Sequence, residues 1–568
     1  MEDREYYTNL IVDSTKPKKL VVAGAGTGKS FTFKKVLSKS PQNNLVLTFI
    51  NNLVDDLKND LGQYAEVKTF HSFCRKLLHK HAGEGIDSEF EYYPDLLNII
   101  IEDATILKNG IEKEAIEKSF KTFYEDNNVE FYLDRANYYN AVGYDDSVYR
   151  VIKILRNASS LVPHYNTIVI DEYQDFNALE AELLEVLSTN CSYILIAGDD
   201  DQSVYSFKYA NPIHIRKKYE DTNFSNFELP YCSRCCAVIV NSVKDILENA
   251  QKFSLLPNRI VKEYICHEES KQIDNETYPL IQKVKISVNT KKSPYIAKYI
   301  LSVLQNLDRD EVNQANQGDY PLALVIGPTH YLNQIEEALN NLSKEYRINL
   351  TKKLKPSAII SALAHLYKNN KSNLGWRIIL QEKGDGKLLN DIISQITNDK
   401  SAIVDHLPTD FKALWLDILD KIRKEYEEEN YTSKSSELIE KLGENYMEAF
   451  RNKLKHDELT DEEDAPIEQQ EPANSTLSEI KLTTYSGSKG LSGGQVFIVG
   501  LDEGEFPRQE PTFDDVCQYI VALTRTRKQC HLLTVGRFGA AQKNASQFLN
   551  WINKDNMNVV TINKDSFN

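Results

Sequence analysis

The chain has 568 residues, more than the roughly 100 to 200 residues of one ordinary domain, so several domains are expected. Hydrophobic residues make up 41% and charged residues 26%, which is typical of globular protein and excludes a largely disordered chain. The net charge of −16 argues against a protein that coats nucleic acid through its overall charge, although a local basic groove is compatible with it.

The composition favours a cytoplasmic protein without a membrane anchor. The first residues, MEDREYY, are acidic and aromatic, whereas a secretory signal begins with basic residues and continues into an apolar core. No apolar stretch approaches the roughly 20 residues that cross a bilayer. The eight cysteines are interpreted as reduced thiols. Cys232, Cys235 and Cys236 form a cluster, but a zinc site there needs a fourth ligand such as Cys266 or His267, and thiols are the favoured interpretation.

Residues 20–80 alternate apolar runs with polar helical stretches. The runs are KLVVAG, NLVLTF and the beginning of EVKTFHSFCRKLL, which is the pattern of a parallel α/β sheet. From 81 to 164 the sequence becomes helical and rich in tyrosine, as expected of an inserted subdomain. Strands return in NTIVIDE and SYILIAGDDD, and each ends in carboxylates, where a doubly wound sheet places its ligand chemistry.

A second α/β series follows. Its clearest strands are KVKISV, PLALVIG, QVFIVG and HLLTVG. A long helical stretch separates PLALVIG from QVFIVG, and it ends in the acidic, proline-bearing segment HDELTDEEDAPIEQQEPANS. This composition predicts a solvated linker. The two series suggest a duplicated architecture in which each α/β unit carries one helical insertion.

A glycine-rich loop lies between the strand KLVV and the helical stretch FTFKKVL. Backbone N–H groups of such a loop turn inward around phosphates, Lys29 reaches the β and γ oxygens, and Ser30 ligates Mg²⁺. The predicted nucleotide-binding residues are Ala23, Gly24, Ala25, Gly26, Thr27, Gly28, Lys29 and Ser30. The expected ligands are therefore ATP and Mg²⁺.

The segment Asp171-Glu172-Tyr173-Gln174-Asp175 follows the apolar strand TIVI. Its first two carboxylates therefore project from a strand end towards the phosphate loop. We expect Asp171 to complete the magnesium shell and Glu172 to polarise the water that attacks the γ-phosphorus.

With this segment the chain resembles the UvrD/Rep/PcrA group of superfamily 1A DNA helicases. Further segments resemble the other motifs of that family, and they occur in the family's order: TFINN, TFHSFC, GDDDQSVYSFKYA, LPYCSRCCAVI, TTYSGSKGL with GLDEGEFP, and YIVALTRTRK. Several weak matches in one order make a specific resemblance that covers nearly the whole chain.

The resemblance implies an α/β fold with two RecA-like P-loop domains, parallel sheets flanked by helices, each interrupted by a mostly helical insertion. Domain 1A is expected at 1–80 and 165–225, insertion 1B at 81–164, domain 2A at 226–350 and 476–568, and a reduced insertion 2B, ending in the acidic linker, at 351–475. The C-terminal nuclease domain of some relatives is not expected.

The resemblance also implies roles for individual residues. Gln202 matches the glutamine that senses the γ-phosphate, and Arg234 and Arg525 match two arginines that reach it across the cleft between 1A and 2A. Guanidinium groups suit a phosphoryl group that gains charge, and their position makes closure of the cleft depend on ATP. The predicted catalytic residues are Lys29, Asp171, Glu172, Gln202, Arg234 and Arg525; the predicted metal ligands are Ser30 and Asp171.

On the DNA side, the resemblance places eight residues at single-stranded DNA: Phe49, Asn51, Thr69, Phe70, His71, Tyr205, Phe207 and Thr484. Phe207 takes the place of an aromatic residue that stacks on a base. Stacking suits a motor because every base has a π-face, so that grip does not depend on sequence. Core packing at strand ends is the alternative for any single one of these aromatics.

The nucleoside side of the site departs from the family. No glutamine occurs near Thr8 or Asn9, where the family reads adenine, and Ser233 occupies the position of the adenine-stacking tyrosine, for which Tyr231 is a possible substitute. Ser492 replaces a glutamate that contacts the ribose. These departures predict reduced discrimination among nucleoside triphosphates. Ser492 also creates the string LSGGQ, the signature of ABC-type ATPases, which we interpret as coincidence because the catalytic carboxylates already lie in DEYQD.

The predicted function is an ATP-dependent DNA helicase or translocase that acts on single-stranded and junction DNA with 3′ to 5′ polarity, in DNA repair, recombination or anti-phage defence. One alternative is a translocase that feeds DNA to a partner nuclease. Another is a nucleotide sensor or partner-dependent ATPase subunit without autonomous unwinding. The full hydrolytic set argues against a sensor.

Overall fold

The computed structural model describes residues 4–48, 51–83, 85–289, 294–318, 320–351, 357–428, 435–458, 477–538 and 541–567. Phe49 and most of the predicted acidic linker lie outside these residues. Asn51 begins a helix, but its side chain is not described.

The chain begins with alternating helices and short strands. The helices are α1 (Arg4–Asp13), α2 (Lys29–Lys39), α3 (Asn51–Leu61) and α4 (Phe70–Lys80), and the strands are β1 (Lys18–Ala23), β2 (Asn44–Thr48) and β3 (Glu66–Thr69). The next segment is mainly helical, with β4 (Glu91–Tyr92), α5 (Leu96–Ile106), α6 (Lys113–Lys121), α7 (Asn127–Tyr138), β5 (Ala141–Val142) and α8 (Tyr144–Asn157). Then the α/β alternation resumes, with β6 (Tyr165–Ile170), α9 (Ala178–Ser188), β7 (Cys191–Gly198), α10 (Ile213–Glu220) and β8 (Ser225–Leu229).

Six of these strands form one parallel sheet in the order β3-β2-β6-β7-β1-β8. Both faces are buried, which explains the continuous apolar runs in the sequence. Leu20 and Val22 of β1 pack into one apolar cluster, whereas Val21 packs into a second cluster under α2 and α3. The sheet extends to Leu229, beyond residue 225, where the sequence predicts the end of domain 1A.

The second α/β series begins with a small parallel pair, β9 (Tyr231–Cys232) and β10 (Ile265–Cys266). Its remaining elements before the second insertion are α11 (Ala237–Lys252), α12 (Glu268–Thr277), β11 (Ile281–Asn289), α13 (Tyr295–Gln305), α14 (Arg309–Gln317), β12 (Ala323–Ile326), α15 (Thr329–Leu342) and β13 (Arg347–Leu350).

The second insertion consists of helices: α16 (Ala358–Lys368), α17 (Asn373–Lys383), α18 (Gly386–Asp399), α19 (Thr409–Glu427), α20 (Ser436–Leu442) and α21 (Tyr446–Glu458). The two insertions pack against each other. Ile100 of α5 and Trp376 of α17 belong to one apolar cluster that continues to the first sheet. The joint is also polar, because Arg377 of α17 donates to the buried Asp103 of α5.

The chain returns to the second sheet with β14 (Glu479–Thr483), β15 (Gly493–Ile498), α22 (Phe513–Leu523), β16 (Thr526–Phe538), β17 (Ala541–Gln542) and β18 (Met557–Ile562). The strand order is β13-β14-β12-β15-β16-β11-β18, and all these pairs are parallel; β17 alone pairs antiparallel with β16. The predicted fold class, α/β with parallel sheets flanked by helices, is confirmed. Among the described residues, no helix has both the length and the apolar character needed to span a membrane.

Candidate active site

The glycine-rich loop connects β1 to α2 at the carboxyl-terminal end of β1 in the first sheet. Gly26 and Gly28 have φ values of 71° and 92°, a conformation that L side chains rarely adopt. Space is restricted as well, because a Cβ on Gly24 would lie 2.8 Å from the ring of Tyr264 and one on Gly26 would lie 2.4 Å from Cβ of Arg234. The glycines therefore allow the loop both to turn and to meet residues of the second series.

Lys29, the first residue of α2, forms an ion pair with Glu172 at 3.0 Å. Asp171 and Glu172 directly follow β6, the neighbour of β2 in the same sheet. Glu172 has a φ of 54°, a left-handed conformation that is costly for a residue with a Cβ and is concentrated at functional sites. The strand end thus directs both carboxylates to the phosphate loop, as the sequence predicts.

A chain of hydrogen bonds connects Glu172 to Gln202. Gln174 donates to Glu172 Oε2 at 2.6 Å, and its own Oε1 accepts from the backbone N–H of Asp199 at 3.0 Å. Gln202 Nε2 donates to Asp199 Oδ2 at 2.6 Å. Gln174 thereby fixes the ends of β6 and β7 relative to each other.

The arginines of the second series lie on the other side of the same cavity. Arg525 Nη2 lies 3.4 Å from Gln202 Oε1, and Arg234 Nη1 lies 3.5 Å from the carbonyl oxygen of Thr524. Burial and, after it, the nearby charge of Arg234 lower the pKa of Arg525 to about 10. Two guanidinium groups that repel each other in a buried cleft favour an anionic ligand between the domains.

Lys489 is a site residue for which the sequence pattern predicts no role, although it lies within the TTYSGSKGL segment. Its Nζ contacts the carboxylate of Asp175, lies 3.4 Å from Glu172 Oε2 and donates to the carbonyl oxygen of Gln202 at 2.7 Å. Burial opposes the charged form of Lys489, but Asp175 and Glu172 more than offset this and raise its pKa. Lys489 therefore connects the second series to both carboxylate-bearing loops of the first.

Burial alone would raise the pKa of Glu172, but Lys29 and then Lys489 hold it below its usual range. The pKa of Asp171 is raised, first by burial and then by the charge of Glu172. Glu172 therefore remains ionised at neutral pH and can accept hydrogen bonds.

These residues surround a cavity of about 290 Å³. Its lining includes all of Gly24–Ser30 together with Asp171, Glu172, Gln202, Arg234, Lys489 and Arg525. Ala23 lies just before it, at the end of β1. Ser30 and Asp171 contribute a hydroxyl and a carboxylate to this cavity, the oxygen donors that Mg²⁺ prefers, so these residues fit the ion.

One group of side chains with metal-site spacing occurs among the described residues, and it comprises Asp199, Asp200 and Asp201. These carboxylates already have cationic partners, since Lys262 lies 2.6 Å from Asp199 and Arg259 lies 2.6 Å from Asp201. No cysteine belongs to such a group among the described residues, so the zinc alternative for Cys232, Cys235 and Cys236 is not supported there.

Ser233, Tyr231 and Ser492, which the resemblance places on the nucleoside side of the site, all contact other residues of the chain. Ser233 packs on the phosphate loop, where its N–H donates to the carbonyl oxygen of Gly26 at 3.0 Å. Tyr231 lies edge-on to Tyr7, with ring centroids 5.9 Å apart. Ser492 accepts from Arg527 Nε at 2.9 Å. The LSGGQ string continues into strand β15, whereas the ABC signature opens a helix.

The three consecutive DNA-side residues of the TFHSFC segment are buried. Thr69 caps α4, where its hydroxyl accepts from the N–H of Ser72 at 3.1 Å. Phe70 packs edge-on against Phe176, and His71 stacks on Tyr144 with centroids 3.5 Å apart. In this structure the two rings contribute to packing and are not presented to solvent, which agrees with core packing, the alternative to DNA contact for these aromatics.

The other described DNA-side residues lie near the cleft. Phe207 is 63% exposed, and its ring centroid lies 5.9 Å from that of Tyr205. Tyr205 donates to the carbonyl oxygen of Ser486 at 3.4 Å, which joins the first series to the loop after β14. Thr484 is exposed in that loop and accepts from the N–H of Gly487 at 3.2 Å. Aromatic and polar groups of both series thus share one surface.

Comparison with known proteins finds similarity to DNA helicases. Residues 7–130 and 101–223 match the family model described as the UvrD/REP helicase N-terminal domain. The chain is 24% identical to the ATP-dependent DNA helicase PcrA of Staphylococcus aureus (strain Mu50 / ATCC 700699), over 95% of this chain and 84% of that protein. It is 22% identical to a probable DNA helicase II homolog of Mycoplasma genitalium, over 96% of this chain and 86% of that protein.

Proposed function

We propose that this chain, a UvrD/PcrA-like helicase that hydrolyses ATP, is a motor that translocates on single-stranded DNA from 3′ to 5′ and unwinds junctions. The observation that carries the proposal is the cleft. Lys29, Glu172 and Gln202 of the first series face Arg234, Arg525 and Lys489 of the second across one cavity. A phosphate in this position is bound by both domains, so that hydrolysis changes their separation.

The chain's own residues account for the steps of hydrolysis. Lys29 and the loop N–H groups bind the phosphates, and Glu172 accepts a hydrogen bond from the attacking water. Arg234 and Arg525 stabilise the charge that develops on the transferred phosphoryl group. Ser30 and Asp171 would hold Mg²⁺, which neutralises phosphate charge when it is bound.

The loop that carries Gln202 can transmit closure of the cleft to bound DNA. Gln202 lines the cavity, whereas Tyr205 and Phe207, a few residues further along the same loop, lie at the surface shared with Thr484. We infer that DNA stacks on Phe207 and that the two domains grip it alternately. The residue roles, the domain boundaries, the polarity and a cytoplasmic role in DNA repair, recombination or anti-phage defence are parts of this proposal.

The residues at the positions where the family contacts the base support relaxed nucleotide selectivity. Thr8 is buried within α1, where its hydroxyl donates to the carbonyl oxygen of Arg4 at 3.3 Å, and Ser233 is engaged by the phosphate loop. Neither replaces the base contacts of the family, so we expect GTP to support turnover. A preference for ATP above about a hundredfold, near 3 kcal/mol, would contradict this expectation.

Strand displacement on duplexes with one single-stranded tail tests the motor. We expect ATP-dependent unwinding of substrates with a 3′ tail, little with a 5′ tail, and none for Arg525→Ala. Unwinding only from 5′ tails would overturn the polarity. DNA-stimulated ATPase without unwinding would favour a translocase, or a subunit that needs a nuclease or another partner.

A further inference from the structure

In the sequence Cys232-Ser233-Arg234-Cys235, one cysteine lies on each side of Arg234, an arginine of the cleft. Cys232 ends strand β9, and helix α11 begins at Ala237. Both thiols are buried within the second α/β series. The nucleotide chemistry proposed above assigns no role to either sulfur.

The sulfur of Cys232 lies close to Cys235. It accepts from the backbone N–H of Cys235 at 3.4 Å and from the hydroxyl of Tyr264 at 3.3 Å. Two donors directed at one sulfur stabilise a thiolate, and the approach of this sulfur to the backbone of Cys235 within a Cys-X-X-Cys segment suits disulfide formation.

The protonation of the eight cysteines, all of which lie in described residues, singles out Cys232. Hydrogen bonding with Cys235 and with the hydroxyl of Tyr264 lowers the pKa of Cys232 to about 6 despite its burial. Burial raises the pKa of its neighbour Cys236 to about 12, and that of Cys530 likewise to about 12. Since the thiolate is the reactive form, oxidation should begin at Cys232.

We propose that Cys232 and Cys235 form a reversible disulfide on exposure to peroxide, and that this modification inhibits ATP hydrolysis in the cleft. The Cys232 thiolate attacks one oxygen of hydrogen peroxide and yields a sulfenic acid and hydroxide. The Cys235 thiol then attacks that sulfur and releases water, and a dithiol reductant reverses the reaction. Peroxide is the oxidant, and the two thiol sulfurs supply both electrons.

Access to Cys232 depends on the cleft. A Cβ on Gly26 would lie 3.2 Å from the Cys232 sulfur, so the phosphate loop of the first series covers this thiol. Tyr264 closes the same side, because its hydroxyl donates to the carbonyl oxygen of Ala25 at 2.9 Å. This step of the inference rests on the proposed function: opening of the cleft between turnovers uncovers the sulfur, and bound nucleotide protects it.

The disulfide alters contacts that position Arg234. It removes the proton through which the Cys235 thiol donates to the carbonyl oxygen of Thr524 at 3.5 Å, the same oxygen that Arg234 contacts. It also replaces the thiolate that accepts from Tyr264. Because arginines that reach the transferred phosphoryl group contribute large rate factors, we expect ATPase activity to fall at least about tenfold on oxidation.

The test treats the full-length protein with hydrogen peroxide, blocks the remaining thiols and locates the disulfide by peptide mass spectrometry. We expect a 232–235 disulfide that dithiothreitol reverses, with slower formation when a non-hydrolysable ATP analogue is bound. Cys236→Ser, the matched control, should behave like the wild type. Cys235→Ser should instead accumulate a sulfenic acid at Cys232 that dimedone traps.

The mass measurement does not require activity, so its result is independent of the motor. Absence of the disulfide in the wild type, or its formation at Cys236 or Cys266 instead, would overturn the proposed site. Formation of the disulfide with unchanged ATPase activity would overturn the switch. Inactivity of the reduced protein with DNA would contradict the proposed function and leave the modification site standing.

Discussion

Replacement of Asp103 by asparagine should separate the two helical insertions. Asp103 is 0% exposed, and its Oδ2 accepts from Arg135 Nε at 3.0 Å and from the hydroxyl of Tyr139 at 2.6 Å. Its Oδ1 accepts from Arg377 Nε at 3.0 Å. Asp103→Asn keeps the shape but leaves two buried guanidinium groups without their shared anion and turns an amide NH₂ towards donors. Loss of one partner of a buried ion pair costs about 3–5 kcal/mol.

The neighbouring residue provides a matched control. Glu102 also pairs with Arg377, at 2.8 Å, but its side chain is 39% exposed, so Glu102→Gln should cost less than about 1 kcal/mol. A multidomain chain does not unfold in two states, so a local measurement is needed. Hydrogen exchange followed by mass spectrometry reports the opening of α5 and α17.

For Asp103→Asn we expect exchange in peptides from α5 and α17 to accelerate at least about a hundredfold, which corresponds to about 3 kcal/mol. Peptides from the first sheet should be unchanged. Similar exchange rates in Asp103→Asn and Glu102→Gln would show that the buried network does not hold the insertions together.

Three further predictions concern the cleft, the DNA surface and pH. Lys489→Met leaves Asp175 buried without its cation, and we expect kcat for DNA-stimulated ATP hydrolysis to fall at least about tenfold. Phe207→Ala should weaken single-stranded DNA binding by about 1–3 kcal/mol in fluorescence anisotropy, whereas Tyr193→Ala, an aromatic at the opposite end of the sheet, should not. Glu180 lies in the first turn of α9, and burial raises its pKa to about 8 from 4.5. Its contribution to stability is therefore fully present below pH 4.5 and is lost as pH rises through about 8. Glu180→Gln should remove this part of the decline in Tm between pH 6 and pH 8, and an unchanged decline would contradict the assignment.

Local signals made the phosphate side of the site predictable. The loop at Gly24–Ser30 and the carboxylates Asp171 and Glu172 each follow an apolar strand directly, and parallel strands of one sheet bring such ends together. The α/β class follows from the same alternation of apolar runs and helices.

Contacts between distant segments could not be read from the sequence. Arg377 and Asp103 are 274 positions apart, and neither residue type nor spacing connects them. Phe70 and His71 match a DNA-binding motif, yet their burial depends on Phe176 and Tyr144, which come from other segments. Lys489 lies in a recognised motif, but its partners became visible only when both series were placed around one cavity.

We expect nucleotide hydrolysis in this cleft to be coupled to DNA. The most direct measurement is the ATPase rate with and without single-stranded DNA, for the wild type and for Glu172→Gln. We predict strong stimulation of the wild type by DNA and loss of that activity in the variant, which retains the shape of the side chain but not its charge. A wild-type rate that DNA does not change, or a variant as active as the wild type, would contradict the claim.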